Sequence, residues 1–228
     1  MDHNMLKFPA ADRRSIFIVD DHPLMRESLT ALLDRQPDFR VCGQAGDSAT
    51  AYAEIERLQP EIVVVDLSLP GESGLELIKK LQSFARVPRA LVLSMHDEAF
   101  FAERALRAGA QGYVMKHETT DKVVEAIRQV LRGELYVSGA LASRFARTLA
   151  GGRGRLDLPS VDRLSDRELE IFRLLGRGFE TRRVAEELHL SMKTVQAHAA
   201  NIKDKLGLEN ATELLREAVR WLEHENFR

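Results

Sequence analysis

Hydrophobic positions in the first 133 residues alternate between two patterns. Short apolar runs occupy 15–19, 61–65, 90–94 and 112–115, with a looser run over 39–45. Ile62, Val63, Val64 and Val65 are consecutive and apolar, which reads as a strand covered on both faces, as in a parallel sheet. Between the runs the apolar spacing approaches 3.6: Leu24, Leu29, Leu32 and Leu33 make one stripe, and Leu75, Leu77, Ile78 and Leu81 another. Helices are expected over 22–35, over 48–58 with Ser48 as cap, over 74–82, over 97–108 ended by Gly109, and over 121–132 capped by Thr119 or Thr120. Five strands alternating with five helices give βα repeats and a parallel sheet.

From residue 134 the pattern changes. One helical stretch, 140–149, precedes Gly151-Gly152-Arg153-Gly154-Arg155, and Pro159-Ser160 follows, a composition that reads as a flexible linker. Residues 162–228 show helical spacing only. Ser165 and Glu168 make a capping box ahead of Ile171, Leu174 and Leu175, and Gly176 and Gly178 stop that helix. A helix over 181–188, the turn His189-Leu190-Ser191, and a helix over 194–206 with Val195, Ile202 and Leu206 inward follow the helix-turn-helix plan. Gly207 ends that helix, and 209–224 is the last. The expected division is a disordered N-terminal segment (1–14), an α/β domain (15–133), a linker with a short helix (134–161) and an all-α domain (162–228).

Composition narrows the setting. The 228 residues carry a formal net charge of −2, with a sequence pI near 6.4, so no global basic field announces a polyanionic partner. The single cysteine, Cys42, rules out an internal disulfide and fits a reducing compartment. No apolar run approaches the roughly 20 residues of a membrane helix, and the first residues lack the apolar core of a signal peptide. A cytoplasmic protein with no membrane partner is expected.

Candidate chemistry sits where the apolar runs end. Ligands of open α/β sheets bind outside the carboxyl ends of the strands. The run 61–65 ends on Asp66, followed by a loop punctuated by Pro70, Gly71 and Gly74. Taken alone, Asp66 reads equally well as a cap for the helix beginning near Ser73. The run 15–19 ends on Asp20-Asp21, and adjacent carboxylates are costly unless a cation neutralises them. If these two strands are neighbours, three carboxylates converge, and oxygen ligands of this kind suit Mg²⁺. The runs 90–94 and 112–115 close on Ser94 and Lys116, so the order along the chain is acid pair, lone acid, hydroxyl, lysine.

That ordered set, with Val65-Asp66-Leu67-Ser68-Leu69-Pro70-Gly71, Leu93-Ser94-Met95-His96-Asp97-Glu98 and Ala108-Gly109-Ala110-Gln111-Gly112-Tyr113-Val114-Met115-Lys116, resembles the receiver domain of two-component response regulators. The resemblance implies a flavodoxin-like sheet of order 2-1-3-4-5 and an Asp66 that accepts a phosphoryl group from a sensor histidine kinase. It implies Mg²⁺ held by Asp21, Asp66 and the Ser68 main-chain carbonyl, with Asp20 acting through water. Ser94 and Lys116 would hold phosphoryl oxygens, Tyr113 would turn inward on activation, and Ser68 and His96 would flank the site and tune loss of the phosphoryl group. An aspartyl-phosphate hydrolase would want a second acid two residues after Asp66; that position is Ser68, so an enzyme is not expected.

In the second domain, Leu164-Ser165-Asp166-Arg167-Glu168-Leu169-Glu170, Val184-Ala185-Glu186-Glu187-Leu188, Leu190-Ser191-Met192-Lys193-Thr194-Val195 and the stretch from His198 to Leu208 resemble the LuxR-type DNA-binding domain. Together the halves resemble the NarL/FixJ subfamily of transcriptional response regulators. That implies a phosphorylation-controlled regulator whose helix 194–206 enters the major groove, which binds promoter DNA as a homodimer when phosphorylated, and for which RNA polymerase is a further partner. The candidate DNA contacts are Arg182, Arg183, Lys193, Thr194, Gln196, Ala197, His198, Ala200, Asn201, Lys203 and Lys205. Three positions depart from the family habit: Gln196 and Ala199 stand where Lys and Arg are common, and Asn210-Ala211 where Asn-Arg is. Gln196 reads either as an adenine-contacting amide or as a surface residue, and His198 as a phosphate-contacting or packing residue. A regulator that binds DNA or a protein partner without phosphorylation is the alternative.

Overall fold

The computed structural model describes residues 13–96, 98–149 and 161–226. The expected disordered segment 1–14 lies mostly outside them, as do Asp97 and the glycine-rich stretch 150–160. The chain divides into two compact units, Met1–Gly151 and Gly152–Arg228.

In the first unit, strands β1 (Arg14–Val19), β2 (Phe39–Ala45), β3 (Ile62–Val65), β4 (Arg89–Ser94) and β5 (Gly112–Met115) alternate with helices α1 (Pro23–Asp34), α2 (Ser48–Leu58), α3 (Gly74–Leu81), α4 (Glu98–Ala108) and α5 (Thr120–Leu131). All strand pairs are parallel and the order is β2-β1-β3-β4-β5. Every residue of β3 is buried, as the unbroken apolar run requires of a central strand covered on both faces. On one face Ile16, Ile18, Ile62, Val64, Leu91 and Leu93 pack with Leu29, Leu33, Val124 and Ile127 of α1 and α5.

Some element ends differ from expectation. Strand β1 already begins at Arg14, whose main-chain N–H donates to Asp38 O at 2.8 Å. Helix α2 is capped by Asp47, which accepts from Thr50 N at 2.8 Å, and Ser48 is its first helical residue. Thr119 occupies the N-cap of α5 without a side-chain bond to the helix. The chain after α5 is also not free linker at its start. Tyr136 pairs alongside β5, donating to Gln111 O at 3.0 Å and accepting from Tyr113 N at 2.9 Å. Ser138 then bonds Glu98 at the start of α4 and accepts from Leu141 N in the first turn of α6 (Gly139–Leu149), where Leu141 is buried.

The second unit comprises a 3-10 turn (Val161–Arg163), α7 (Asp166–Gly176), α8 (Thr181–Glu187), α9 (Met192–Leu206) and α10 (Ala211–Asn226). The Ser165–Glu168 capping box is present. Within α7 Arg167 donates to Glu170 at 2.7 Å; burial pushes the Glu170 carboxyl up to about 7, against the pull of Arg167. Helix α9 starts two residues earlier than the periodicity suggests, because Ser191 caps it by accepting from Thr194 N at 3.0 Å. Gly207, at φ 67°, supplies the left-handed residue that ends it. No described helix is long and apolar enough to cross a membrane.

Candidate functional site

Parallel pairing of β1 with β3, and of β3 with β4 and β4 with β5, brings four strand ends to one edge of the sheet. Asp66 N donates to Val19 O at 2.8 Å, which sets the residue after β3 beside the residues after β1. Lys116 N donates to Ser94 O at 2.8 Å, which does the same for β5 and β4. Asp20, Asp66, Ser94 and Lys116 are thereby gathered, all with buried side chains. The capping alternative for Asp66 falls away, since Ser73 is the N-cap of α3 and accepts from Glu76 N.

Lys116 Nζ stands 2.7 Å from both Asp20 Oδ2 and Asp66 Oδ2. Asp20 Oδ1 accepts from His22 N at 2.9 Å, and its main-chain carbonyl accepts from Arg26 Nη1 at 2.6 Å. Asp21 Oδ1 is 2.6 Å from His22 Nδ1. Ligand atoms of Asp20, Asp21, His22 and Asp66 all lie within 4.8 Å of one another. Asp66 Oδ1 is buried with no hydrogen-bond partner. Burial pushes the Asp66 carboxyl above its ordinary value, against the pull of Lys116. For Lys116 burial works to lower the ammonium, but Asp66 and Asp20 outweigh it and the net shift is upward. Three clustered carboxylates against the Lys116 ammonium and the Arg26 guanidinium still leave a net negative pocket with an unsatisfied buried oxygen, and a small divalent cation with oxygen ligands fits that deficit.

Ser94 Oγ accepts from His96 N at 3.2 Å, and the His96 carbonyl accepts from Tyr113 Oη at 2.7 Å. Tyr113 was expected to turn inward on activation; in this structure the ring is already buried and anchored. Ser68 Oγ lies 2.8 Å from His96 Nε2, so the two flanking residues touch each other. Three contributors escaped the sequence reading. His22 and Arg26 lie one turn apart in the opening of α1, and only their position after an acid pair could have marked them. Gly74 is the third: a Cβ there would stand 2.1 Å from Asp66 O, so only glycine lets α3 start against the Asp66 carbonyl.

In the second unit α9 buries Val195, Ile202 and Leu206 and exposes Lys193, Gln196, Ala197, Ala200 and Asn201. Other candidate contacts are already engaged. Arg182 Nε is 3.2 Å from Glu186 and Arg183 Nη2 is 3.8 Å from Glu187. Lys205 Nζ is 2.6 Å from Glu168. The Thr194 hydroxyl lies 2.8 Å from Ser191 Oγ in the α9 cap. His198 is half-buried, and burial lowers its imidazole below the ordinary value. Asn210 caps α10 by accepting from Glu213 N at 3.0 Å.

Comparison with known proteins gives concordant results for both units. Residues 16–128 match the family described as response regulator receiver domain, and residues 162–218 the family described as bacterial regulatory proteins, luxR family. The Fimbriae Z protein of Salmonella typhimurium is 36% identical over 201 residues, covering 88% of this chain and 94% of that protein. The oxygen regulatory protein NreC of Staphylococcus carnosus is 34% identical over 210 residues, covering 90% and 96%. Among solved structures, RcsB of Salmonella enterica serovar Typhimurium, bound to a promoter in the presence of phosphomimetic BeF3-, aligns with a TM-score of 0.58 at 26% identity, covering 91% of this chain and 98% of that one. A LuxR-family response regulator from Aurantimonas aligns with a TM-score of 0.56 at 36% identity, over 60% of this chain and 99% of that one.

Proposed function

The chain belongs to the response regulators that join a receiver domain to a LuxR-type DNA-binding domain, and on that premise we propose that Asp66 takes a phosphoryl group from a sensor histidine kinase and that the second unit then binds promoter DNA as a homodimer. The family is one of phosphorylation-regulated transcription factors rather than enzymes. The observation that carries the reading is the buried Asp66 carboxylate, with one oxygen on Lys116 and the other without a partner.

Asp20, Asp21 and Asp66, with the Ser68 carbonyl, would hold Mg²⁺, which when bound offsets the charge of the carboxylates and of phosphoryl oxygens. The Asp66 carboxylate forms a bond to phosphorus as the phosphorus–nitrogen bond of the donor's phosphohistidine breaks; the electron pair stays on the departing imidazole, which takes up a proton. Lys116 holds Asp66 at the strand end beforehand and afterwards pairs with a phosphoryl oxygen, as does the Ser94 hydroxyl. A pull on Ser94 Oγ reaches His96 N and, through the His96 carbonyl, Tyr113 Oη. The signal is thus a displacement of the β4–α4 segment against β5, the two-state kind of element on which regulatory phosphorylation acts. RcsB has been solved as two dimers bound to two parallel DNAs, which supports the dimeric mode here; RNA polymerase is a further partner of such a regulator.

The test is phosphoryl incorporation from acetyl phosphate with Mg²⁺, followed by promoter binding. Wild-type chain should take up one phosphoryl group and gain DNA affinity, and Asp66→Asn should do neither. Full DNA response of Asp66→Asn would sink the proposal. A phosphorylation-independent regulator is the second reading, favoured by the already buried Tyr113, and it expects equal DNA binding with and without donor.

A further inference from the structure

The exposed face of α9 is unusual in what it offers to a base pair. At about 100° per residue, Lys193, Gln196, Ala197, Ala200, Asn201 and Asp204 fall on one stripe roughly 140° wide, and all six are exposed. Gln196 and Asn201 stand at its two margins, and the alanine methyls lie between them. The stripe holds no arginine; its one lysine, Lys193, stands in the first turn of α9 and its one acid, Asp204, in the last, with the carboxamides and alanines in the turns between. In the major groove, guanine is read chiefly by Arg or Lys at O6 and N7, adenine by the carboxamides of Asn or Gln at N6 and N7, and the thymine methyl by small apolar contacts such as Ala. Two carboxamides flanking two methyls are the complement of adenine and thymine.

The charge around the helix pair points the same way. Among the described residues, Arg182 and Arg183 are each met by an acid four residues on, and Lys205 is tied to Glu168. Lys193 and Lys203 are the basic side chains of α8 and α9 with no ion-pair partner there. Phosphate contact, which supplies affinity without sequence information, is therefore thin, and discrimination rests more heavily on the base edges.

We infer that this output domain selects A·T-rich half-sites, with Gln196 and Asn201 reading adenines and Ala197 and Ala200 packing against thymine methyls. The inference rests on the DNA-binding reading given above and adds the sequence class to it. Gln196 is the specificity residue most open to test, because it is exposed and a substitution there leaves the core of the unit untouched.

The experiment is selection of bound duplexes from a random-sequence library by full-length protein with Mg²⁺ and acetyl phosphate, repeated with Gln196→Ala, Asn201→Ala and Gln196→Arg. Wild-type protein should enrich paired half-sites dominated by A·T. Gln196→Ala and Asn201→Ala should each relax a different base pair of the half-site, by roughly 5- to 150-fold. Gln196→Arg should convert the pair relaxed by Gln196→Ala to G·C, a change of preference that loss of a merely structural residue would not produce. Wild-type half-sites dominated by G·C, or an unaltered preference in Gln196→Arg, would overturn the inference while leaving a DNA-binding protein. Retention of no duplex even at low salt would instead refute the DNA-binding reading itself.

Discussion

Replacing Lys116 by Met keeps most of the side chain's volume and removes its charge. Its ammonium lies 2.7 Å from two carboxylates that are themselves 2% and 3% exposed. Removing one partner from a buried ion cluster costs about 3–5 kcal/mol, because the charges left behind have neither water nor a counter-charge. With a urea slope of about 1–3 kcal/mol per molar, a loss of about 3 kcal/mol lowers the midpoint by about 1–3 M. The chain has one tryptophan, Trp221 in α10, so its fluorescence follows the second unit while far-UV circular dichroism follows both. The dichroism transition of the first unit should move and the fluorescence transition should not. The dependence on pH has a definite sign. Burial already raises the folded Asp66 pKa, and the variant lacks Lys116, the strongest restraint on that rise. An acid with a raised folded pKa contributes stability that is complete below its unfolded value and is lost as pH rises through the folded one. The deficit of the variant is therefore largest near neutrality and shrinks on acidification toward the ordinary carboxylate range. Mg²⁺ should return part of it, about 2.7 kcal/mol at a hundred times its Kd. A midpoint shift below about 0.3 M at neutral pH without Mg²⁺, or a deficit that grows on acidification, refutes the reasoning.

Gly74→Ala places a Cβ 2.1 Å from the Asp66 carbonyl oxygen. It should destabilise the first unit by the upper end of about 1–3 kcal/mol for overpacking, or more, and abolish phosphoryl uptake; a variant with wild-type melting and uptake would show that α3 shifts freely. Salt dependence tests the thin basic face: with Lys193 and Lys203 as the phosphate contacts of each protomer, the slope of log K against log salt should be about −3.6 for a dimer. The double variant Glu186→Gln, Glu187→Gln releases Arg182 and Arg183 and should steepen it to about −7. Equal slopes for the two proteins would mean those arginines already contact DNA.

Much of the first unit was legible because parallel strands are buried on both faces and so announce themselves as unbroken apolar runs. The ends of those runs are what the parallel sheet gathers at one edge, which is why Asp20, Asp66, Ser94 and Lys116 could be named in order from the sequence. What the sequence hid depends on local choices among equivalent residues. Asp47 and Ser48 can each cap a helix, and only the bend of the chain decides between them. Gly74 resembles any loop glycine until α3 is seen against the Asp66 carbonyl. On the DNA face the pairs Arg182–Glu186 and Arg183–Glu187 have the four-residue spacing of helical ion pairs and could have been read. The Lys205–Glu168 pair joins residues 37 apart and needed the packing of α7 against α9.

The short pairing of Tyr136 with β5 has a consequence for solubility. An outer strand offers unpaired amides and carbonyls to any other chain, and proteins that leave such an edge bare tend to aggregate through it. Here the stretch leaving α5 occupies Gln111 O and Tyr113 N before a neighbour can. A fragment cut after Gly133, where the hydrophobic pattern places the end of the first domain, would strip that cover and set β5 edges free to join between molecules. The start of the tether doubles as the guard of the sheet, and shortening it would show first as precipitation, ahead of any loss of signalling.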